Sequence, residues 1–295
     1  MKNGNLSHLI PDLVVQYLSQ ITSLPLTFVE RVSGGDINQA AILSLQDKTK
    51  IFVKWSEHAL PDFYECERDG LERLRGVSKY FSVPVVLGCF DSVSLSALFL
   101  EYLGEPAAPQ ERELALGLAD LHRVTAPQFG LERDNYIGLS PQLNGWSSAW
   151  SDFFVEKRLF PQLRQGRNLG WISNSDCAAF ERAFEVIHGE LCEYEETPSL
   201  LHGDLWNGNV FWGARTPVLI DPASYFGNRE ADIAMTELFG GFGTHFYSTY
   251  AEAHPLQDGY ERRKISLNLY HFMNHANLFG GSYTGEVFRL IRRFS

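Results

Sequence analysis

The chain has 295 residues, 44% of them hydrophobic, enough to bury a sizeable core in one large domain or two lobes without disulfides. Its formal net charge of −11 repels a phosphate backbone. The densest basic run, Arg289, Arg292 and Arg293, is too short to reverse this, so nucleic acid is not an expected partner.

No apolar run of roughly 18 to 20 residues is present to cross a membrane. Polar residues interrupt the opening stretch MKNGNLSHLIPDLVVQYL where a signal peptide is apolar. Cys66, Cys89, Cys177 and Cys192 form no CxxC pair and suit a reducing compartment, so a cytoplasmic location is expected.

Residues 6–20 predict a short helix with Leu9, Leu13 and Leu18 loosely on one face. From Leu26 the pattern turns to short β-rich runs, TFVERV, AAILSL and KIFVKW, with a turn at Gln46–Thr49 between the last two. A helix is predicted around Phe63–Leu74. SVPVVLGCF and LSALFLEYL then read as two buried strands. After Leu103 the polar, proline-bearing GEPAAPQ marks a boundary. Beyond it helices dominate: Leu114, Leu118 and Leu121 share one face, and Phe180, Phe184, Ile187 and Leu191 share another, on a helix that Ser175 or Asp176 would cap. The expected fold class is α+β, with a small β-rich lobe over residues 1–103, a larger helical lobe over 104–295, and a cleft between them.

The chemistry concentrates in LLHGDLWNGNVF, residues 200–211, followed by Val218-Leu219-Ile220-Asp221. Asp204 and Asn209 stand five residues apart on a glycine-containing loop, and Asp221 ends an apolar strand twelve residues later. Phosphoryl transfer calls for such a set. One carboxylate accepts the hydroxyl proton, while an amide oxygen and a second carboxylate hold magnesium against the phosphates. Asp and Asn are also ordinary turn formers, but the full HGDxxxxN string followed by apolar-apolar-Asp is far rarer than a turn.

This string resembles the catalytic and metal-binding loops of the protein-kinase-like superfamily, in the HGD form of the aminoglycoside and choline kinases. LHGDLWNGNV is similar to the fructosamine kinase family in particular. So are DNYIG at 134–138, Gln142 and Asn144 in PQLNGW, KRLFPQL at 157–163, DPASYFGNREADIAM at 221–235, ELFGGF at 237–242 and NHANLFGGSY at 274–283. The resemblance runs from about Arg31 to Tyr283.

It implies a protein-kinase-like two-lobed fold and transfer of the ATP γ-phosphate to the 3-hydroxyl of a ketosamine, a keto sugar joined to an amine by glycation. By the same resemblance Asp204 is the general base, and Asn209 and Asp221 are the magnesium ligands. Lys54 pairs with the nucleotide phosphates, and Glu67 holds that lysine, with Glu65 as the competing position. Gly34 and Gly35 lie in the nucleotide-covering loop. Some relatives carry a cysteine at the position of Asp36, so their redox control does not transfer. Glu101, Tyr102 and Leu103 form the segment that holds adenine, Trp206 borders the sugar, and Asn135, Arg229 and Glu230 are further substrate candidates.

The Asn274–His275 pair is a further candidate for the same pocket and reads as easily as satisfied core polar groups on a helix, whereas His122 reads as structural. Two alternatives compete: an aminoglycoside- or choline-type kinase on the same scaffold, and a nucleotide-binding pseudokinase. The second is disfavoured because Asp204, Asn209, Asp221 and Lys54 are all present.

Overall fold

The structure, a computed structural model, describes residues 9–32, 39–57, 60–92, 94–194 and 196–294. Helix α1 (Asp12–Ile21) buries Val14 and Leu18 and leads into β1 (Leu26–Val32), β2 (Gln39–Leu45) and β3 (Lys50–Ser56). Helix α2 (Phe63–Leu74) follows, with the predicted bounds, then β4 (Val86–Asp91) and β5 (Ser96–Glu101). These strands form one antiparallel sheet in the order β1-β2-β3-β5-β4. The apolar SALFL run explains the inner place of β5, which is buried along all but its last residue.

The expected strand SVPVVLGCF is shorter and less buried than its composition suggests. Pro84 lacks an N–H, so ladder pairing begins only at Val86, and β4 is a half-exposed edge strand. Ser82 turns instead to the second lobe: its N–H donates to the Pro217 carbonyl at 3.0 Å, and its own carbonyl accepts from Leu219 N–H at 2.9 Å.

The second lobe begins with α3 (Glu111–Leu121). A small hairpin of β6 (Asn135–Ile137) and β7 (Ser140–Gln142) follows, then α4 (Trp150–Phe154), a π turn over Val155–Leu159, α5 (Phe160–Asn168) and α6 (Asn174–Cys192). Ser173, rather than Ser175 or Asp176, caps α6. Its hydroxyl accepts from Asp176 N–H, while the Asp176 carboxylate takes the Ser173 N–H, a capping box. Three-residue strands then frame the cleft: β8 (Ser199–Leu201), β9 (Val210–Trp212), β10 (Pro217–Leu219) and β11 (Tyr225–Gly227), paired antiparallel as β8–β11 and β9–β10. Helices α7 (Glu230–Leu238), α8 (Thr244–Ala253), α9 (Tyr260–Phe279) and α10 (Ser282–Ile291) complete the lobe. Among the described residues, no helix is long and apolar enough to cross a membrane.

Three apolar clusters hold these layers. One joins α1 to the outer face of the sheet, and one fills the helical lobe around Phe153, Phe180, Phe184 and Met273. The third crosses the expected boundary: Phe63, Tyr64 and Leu71 of α2 and Leu98 and Leu100 of β5 pack with Leu114 and Leu118 of α3, Leu200, Leu219 and Phe246. Beyond Leu103, the connecting segment is pinned to the hairpin β9–β10 by Ala107 N–H on the Trp212 carbonyl at 2.7 Å and Gln110 Nε2 on the Gly213 carbonyl at 2.7 Å.

Candidate active site

Lys54 projects from β3, an inner strand whose backbone is fixed on both sides, opposite Ala40 of β2 and Leu98 of β5. Its Nζ lies 2.6 Å from Glu67 Oε1 and also bonds Asp221 Oδ1. Of the two glutamates considered on α2, Glu67 is the one that reaches the lysine. Burial disfavours the Lys54 charge, but Asp221 and Glu67 outweigh it and hold its pKa above the ordinary lysine value. Burial pushes Glu67 up to about 7 despite the lysine beside it. Partial loss of hydration works against ionisation of Asp221, yet the Lys54 ammonium holds that carboxyl below its usual range. The Asp221 side chain is 48% exposed and opens into the cleft, whereas Lys54 and Glu67 are covered.

The catalytic-loop candidates are positioned by backbone. Gly203 has φ +84°, and a Cβ there would come within 2.1 Å of the Ala223 carbonyl oxygen, so only glycine lets the two strands of the cleft approach. Ala223 N–H donates to the His202 carbonyl at 2.9 Å, and Ile220 N–H to the Asn209 carbonyl at 3.1 Å. These two bonds lock the Asp221 segment to the loop carrying Asp204 and Asn209. Asp221 itself takes φ +54°, a strained region for a residue with a side chain.

Asn209 Nδ2 donates both to the Asp204 carbonyl at 2.8 Å and to Asp204 Oδ2 at 3.0 Å. Its Oδ1 is thereby left for another partner. Burial raises the Asp204 pKa to about 7, opposed by the Asn209 hydrogen bond and reinforced by the charges of Asp221 and Asp232.

Asp232, on α7, holds the loop that carries Asp204, and the sequence motifs did not single it out. Buried to 1% exposure, its carboxylate accepts His202 N–H at 2.7 Å, Gly203 N–H at 2.9 Å and His122 Nε2 at 3.2 Å. His122 Nδ1 meets the Tyr250 hydroxyl at 2.7 Å, and Arg229 donates to that hydroxyl at 3.1 Å. Neutral His122 therefore donates to Asp232 and accepts from Tyr250. Burial lowers its pKa, which keeps it neutral. The only sequence signal was an Asp eleven residues beyond Asp221, within the quoted DPASYFGNREADIAM.

Three of the expected substrate residues are placed away from the cleft chemistry. Arg229 is 3% exposed and binds Glu196, Tyr250 and the carbonyls of His254 and Pro255. Glu230 is fully buried in a two-pronged pair with Arg263 at 2.7 and 2.8 Å. Arg229 has its N–H groups engaged and Glu230 is sealed from the cleft against Arg263, because burying a charge demands a local partner.

Asn135 belongs to a buried amide cluster. It accepts from Gln142 and Asn144 and donates to the Ser224 carbonyl at 2.9 Å, while Gln142 bonds the Ala223 carbonyl at 3.0 Å. The cluster braces the chain just after Asp221.

Trp206 is 39% exposed and faces the ring of Phe239, centroids 6.0 Å apart. Glu101 closes β5, with its N–H on the Val85 carbonyl at 2.9 Å. Tyr102 bonds Glu105 and stacks under the Lys50 ammonium, at the junction between the sheet and α3. Gly34 and Gly35 lie outside the described residues, as does Asp36.

Among the described residues, no group of three or more His, Cys, Asp or Glu could hold a metal alone. Asn209 Oδ1 and the Asp221 carboxylate are nevertheless hard oxygens of the kind magnesium takes alongside phosphate oxygens and waters.

The sequence matches the fructosamine kinase family over residues 12–295. A probable ketoamine kinase of Synechocystis sp. is 37% identical over 286 residues, covering 95% of each chain. The chloroplastic protein-ribulosamine 3-kinase of Arabidopsis thaliana is 34% identical over 288 residues, covering 93% of this chain and 84% of that one. A solved structure from Haemophilus somnus 129PT, assigned provisionally as a fructosamine-3-kinase, superposes with TM-score 0.86 at 28% identity, covering 95% of this chain and 96% of the other.

Proposed function

This chain belongs to the fructosamine kinase family, and on that premise we propose that it phosphorylates the 3-hydroxyl of a ketosamine from ATP, with Asp204 as base. The observation that carries the reading is the convergence of Asp204, Asn209, Asp221 and Lys54, drawn from both lobes, on one cleft.

In the proposed reaction the acceptor oxygen bonds to the γ-phosphorus as the bond to the β–γ bridging oxygen breaks, and ADP leaves. The hydroxyl proton passes to an Asp204 carboxylate oxygen, which burial has made basic enough to receive it near neutral pH. Lys54, kept charged and aimed by Glu67, offsets charge on the phosphates. Asn209 and Asp221 would hold magnesium, which when bound neutralises charge on the β- and γ-phosphoryl groups. Residues up to Leu103 supply the nucleotide side, with adenine along Glu101–Leu103, and the family resemblance assigns Gly34 and Gly35 to the nucleotide-covering loop. Residues from 104 supply the base and the acceptor side, with Trp206 against the sugar. Phosphorylation at that hydroxyl makes the adduct prone to elimination, so the outcome is deglycation, and the four free cysteines suit a cytoplasmic setting.

Glu230 bears on the aminoglycoside alternative. A polycationic acceptor calls for acid groups at its site, and this one is committed to Arg263.

The test is ADP release from magnesium-ATP with ribulosyl-lysine, fructosyl-lysine and an aminoglycoside, beside Asp204→Asn. A ketosamine should stimulate turnover, and the variant should lose about 10²- to 10⁴-fold in kcat. Faster turnover of the aminoglycoside than of any ketosamine would overturn the acceptor, and an active Asp204→Asn would overturn the base.

A further inference from the structure

Trp206 is the first ring of a longer aromatic strip. Phe239 lies 6.0 Å from it, His275 4.9 Å from Phe239, and Phe279 and Tyr283 lie 5.6 and 5.2 Å from His275. The rings come from three places in the chain: the catalytic loop, the end of α7, and the α9–α10 corner. His275 and Phe279 are one helical turn apart, and Gly280 and Gly281, with φ +62° and +60°, turn the chain so that Tyr283 joins them.

The strip is held to the catalytic loop by close approach. A Cβ on Gly208 would sit 2.3 Å from the Trp206 indole, and one on Gly241 would sit 2.6 Å from Asn207 Cβ. Yet its outer faces are bare: Trp206 and Phe239 are each 39% exposed and Phe279 is 49% exposed. Contiguous exposed aromatics rooted in a catalytic loop mark a binding surface rather than scattered surface residues.

We propose that Phe239, His275, Phe279 and Tyr283 form an amine-side subsite that favours ketosamines on a lysine whose neighbour in the peptide is apolar or aromatic. This rests on the ketosamine reading above. The sugar hydroxyl must lie at Asp204, and a single sugar covers little beyond Trp206. The carrier of the amine therefore runs along the remaining rings.

The chemistry matches at each step. The protonated ketosamine nitrogen finds π faces. His275 donates its Nδ1–H to the His271 carbonyl at 2.8 Å, and burial lowers its pKa, so it stays neutral and does not repel that cation. The lysine methylenes follow, then the flanking side chain reaches Phe279 and Tyr283. A free amino acid would set its charged carboxylate on these rings without a partner. An acidic neighbour would meet a chain already carrying −11.

The experiment compares kcat/KM for ribulosyl-lysine peptides of equal length with Phe, Ser or Asp beside the modified residue, in the parent and in Phe279→Ser, Phe239→Ser and Phe279→Tyr. The parent should favour Phe over Ser by about 3- to 10-fold, the range of one aromatic contact, with Asp the poorest. Phe279→Ser should bring the Phe/Ser ratio towards one and Phe279→Tyr should retain it, whereas Phe239→Ser, which faces the part common to all three peptides, should lower kcat/KM for each and keep the ratio. Because the readout is a ratio, a general loss of folded enzyme cancels. A ratio near one in the parent, or one unchanged in Phe279→Ser, overturns the subsite while leaving the ketosamine reading intact. If no ketosamine is accepted at all, the acceptor reading falls and the subsite falls with it.

Discussion

Asp204 carries opposite demands for stability and for chemistry. Its pKa is raised to about 7, chiefly by burial, while an unfolded aspartate ionises near 4. Between those two values the folded state retains a proton that the unfolded state has lost, so stability falls as pH rises through that window, and above about 7 the ionised group costs its full amount. Asp204→Asn removes that cost and keeps an oxygen facing Asn209 Nδ2. In chelator, the variant is expected to be more stable than the parent at pH 8, on the order of 1–2 kcal/mol after allowance for water in the cleft. The difference should shrink towards zero as pH approaches 4. Urea midpoints at pH 8, 6 and 4 check this, and a gap that grows on acidification contradicts it.

At the scale of elements, the site is a set of short segments tied to one another by backbone, and α7 is the tie that sequence hides. Asp232 collects two loop N–H groups and the His122 ring with one buried carboxylate. Asp232→Asn would turn an NH₂ towards at least one of those donors. The expected result is a loss of roughly 2–3 kcal/mol of stability, the size of a hydrogen bond to a buried charge, together with a lower kcat at unchanged ATP KM. A silent Asp232→Asn, measured by urea unfolding and initial rates, would show that the loop holds its shape without α7.

The proximity of Asp204, Asn209 and Asp221 was legible because one short stretch of chain holds all three. Asp232, Phe239 and the Asn135–Gln142–Asn144 cluster were not, since their meaning depends on partners far off in the chain. Arg229 and Glu230 misled for the same reason: beside the motif they look available, and only tertiary structure shows Glu196 and Arg263 holding them. The long strands and α2 showed their periods, but three-residue strands such as β8 and β11 are too short to have one.

For the whole molecule, the boundary after Leu103 divides topology and not the core. Phe63, Tyr64, Leu71, Leu98 and Leu100 from one side fill the same cluster as Leu114, Leu118, Leu219 and Phe246 from the other. Separating the lobes would return these side chains to water at about 1.5–3 kcal/mol for each large one. Five such residues amount to roughly the whole stability of a typical domain, about 5–15 kcal/mol. Hydrogen bonds across the boundary, Ser82 with Pro217 and Leu219, would be lost as well. The lobes should therefore not unfold independently. Near-ultraviolet and far-ultraviolet circular dichroism of the intact chain in urea should give one superimposable transition, and a fragment of residues 104–295 should lose its near-ultraviolet signal. Two resolved transitions, or a fragment that unfolds cooperatively, would mean that the helical lobe closes its own core. Lys54 would then reach Asp221 across a hinge rather than from a shared, rigid interior.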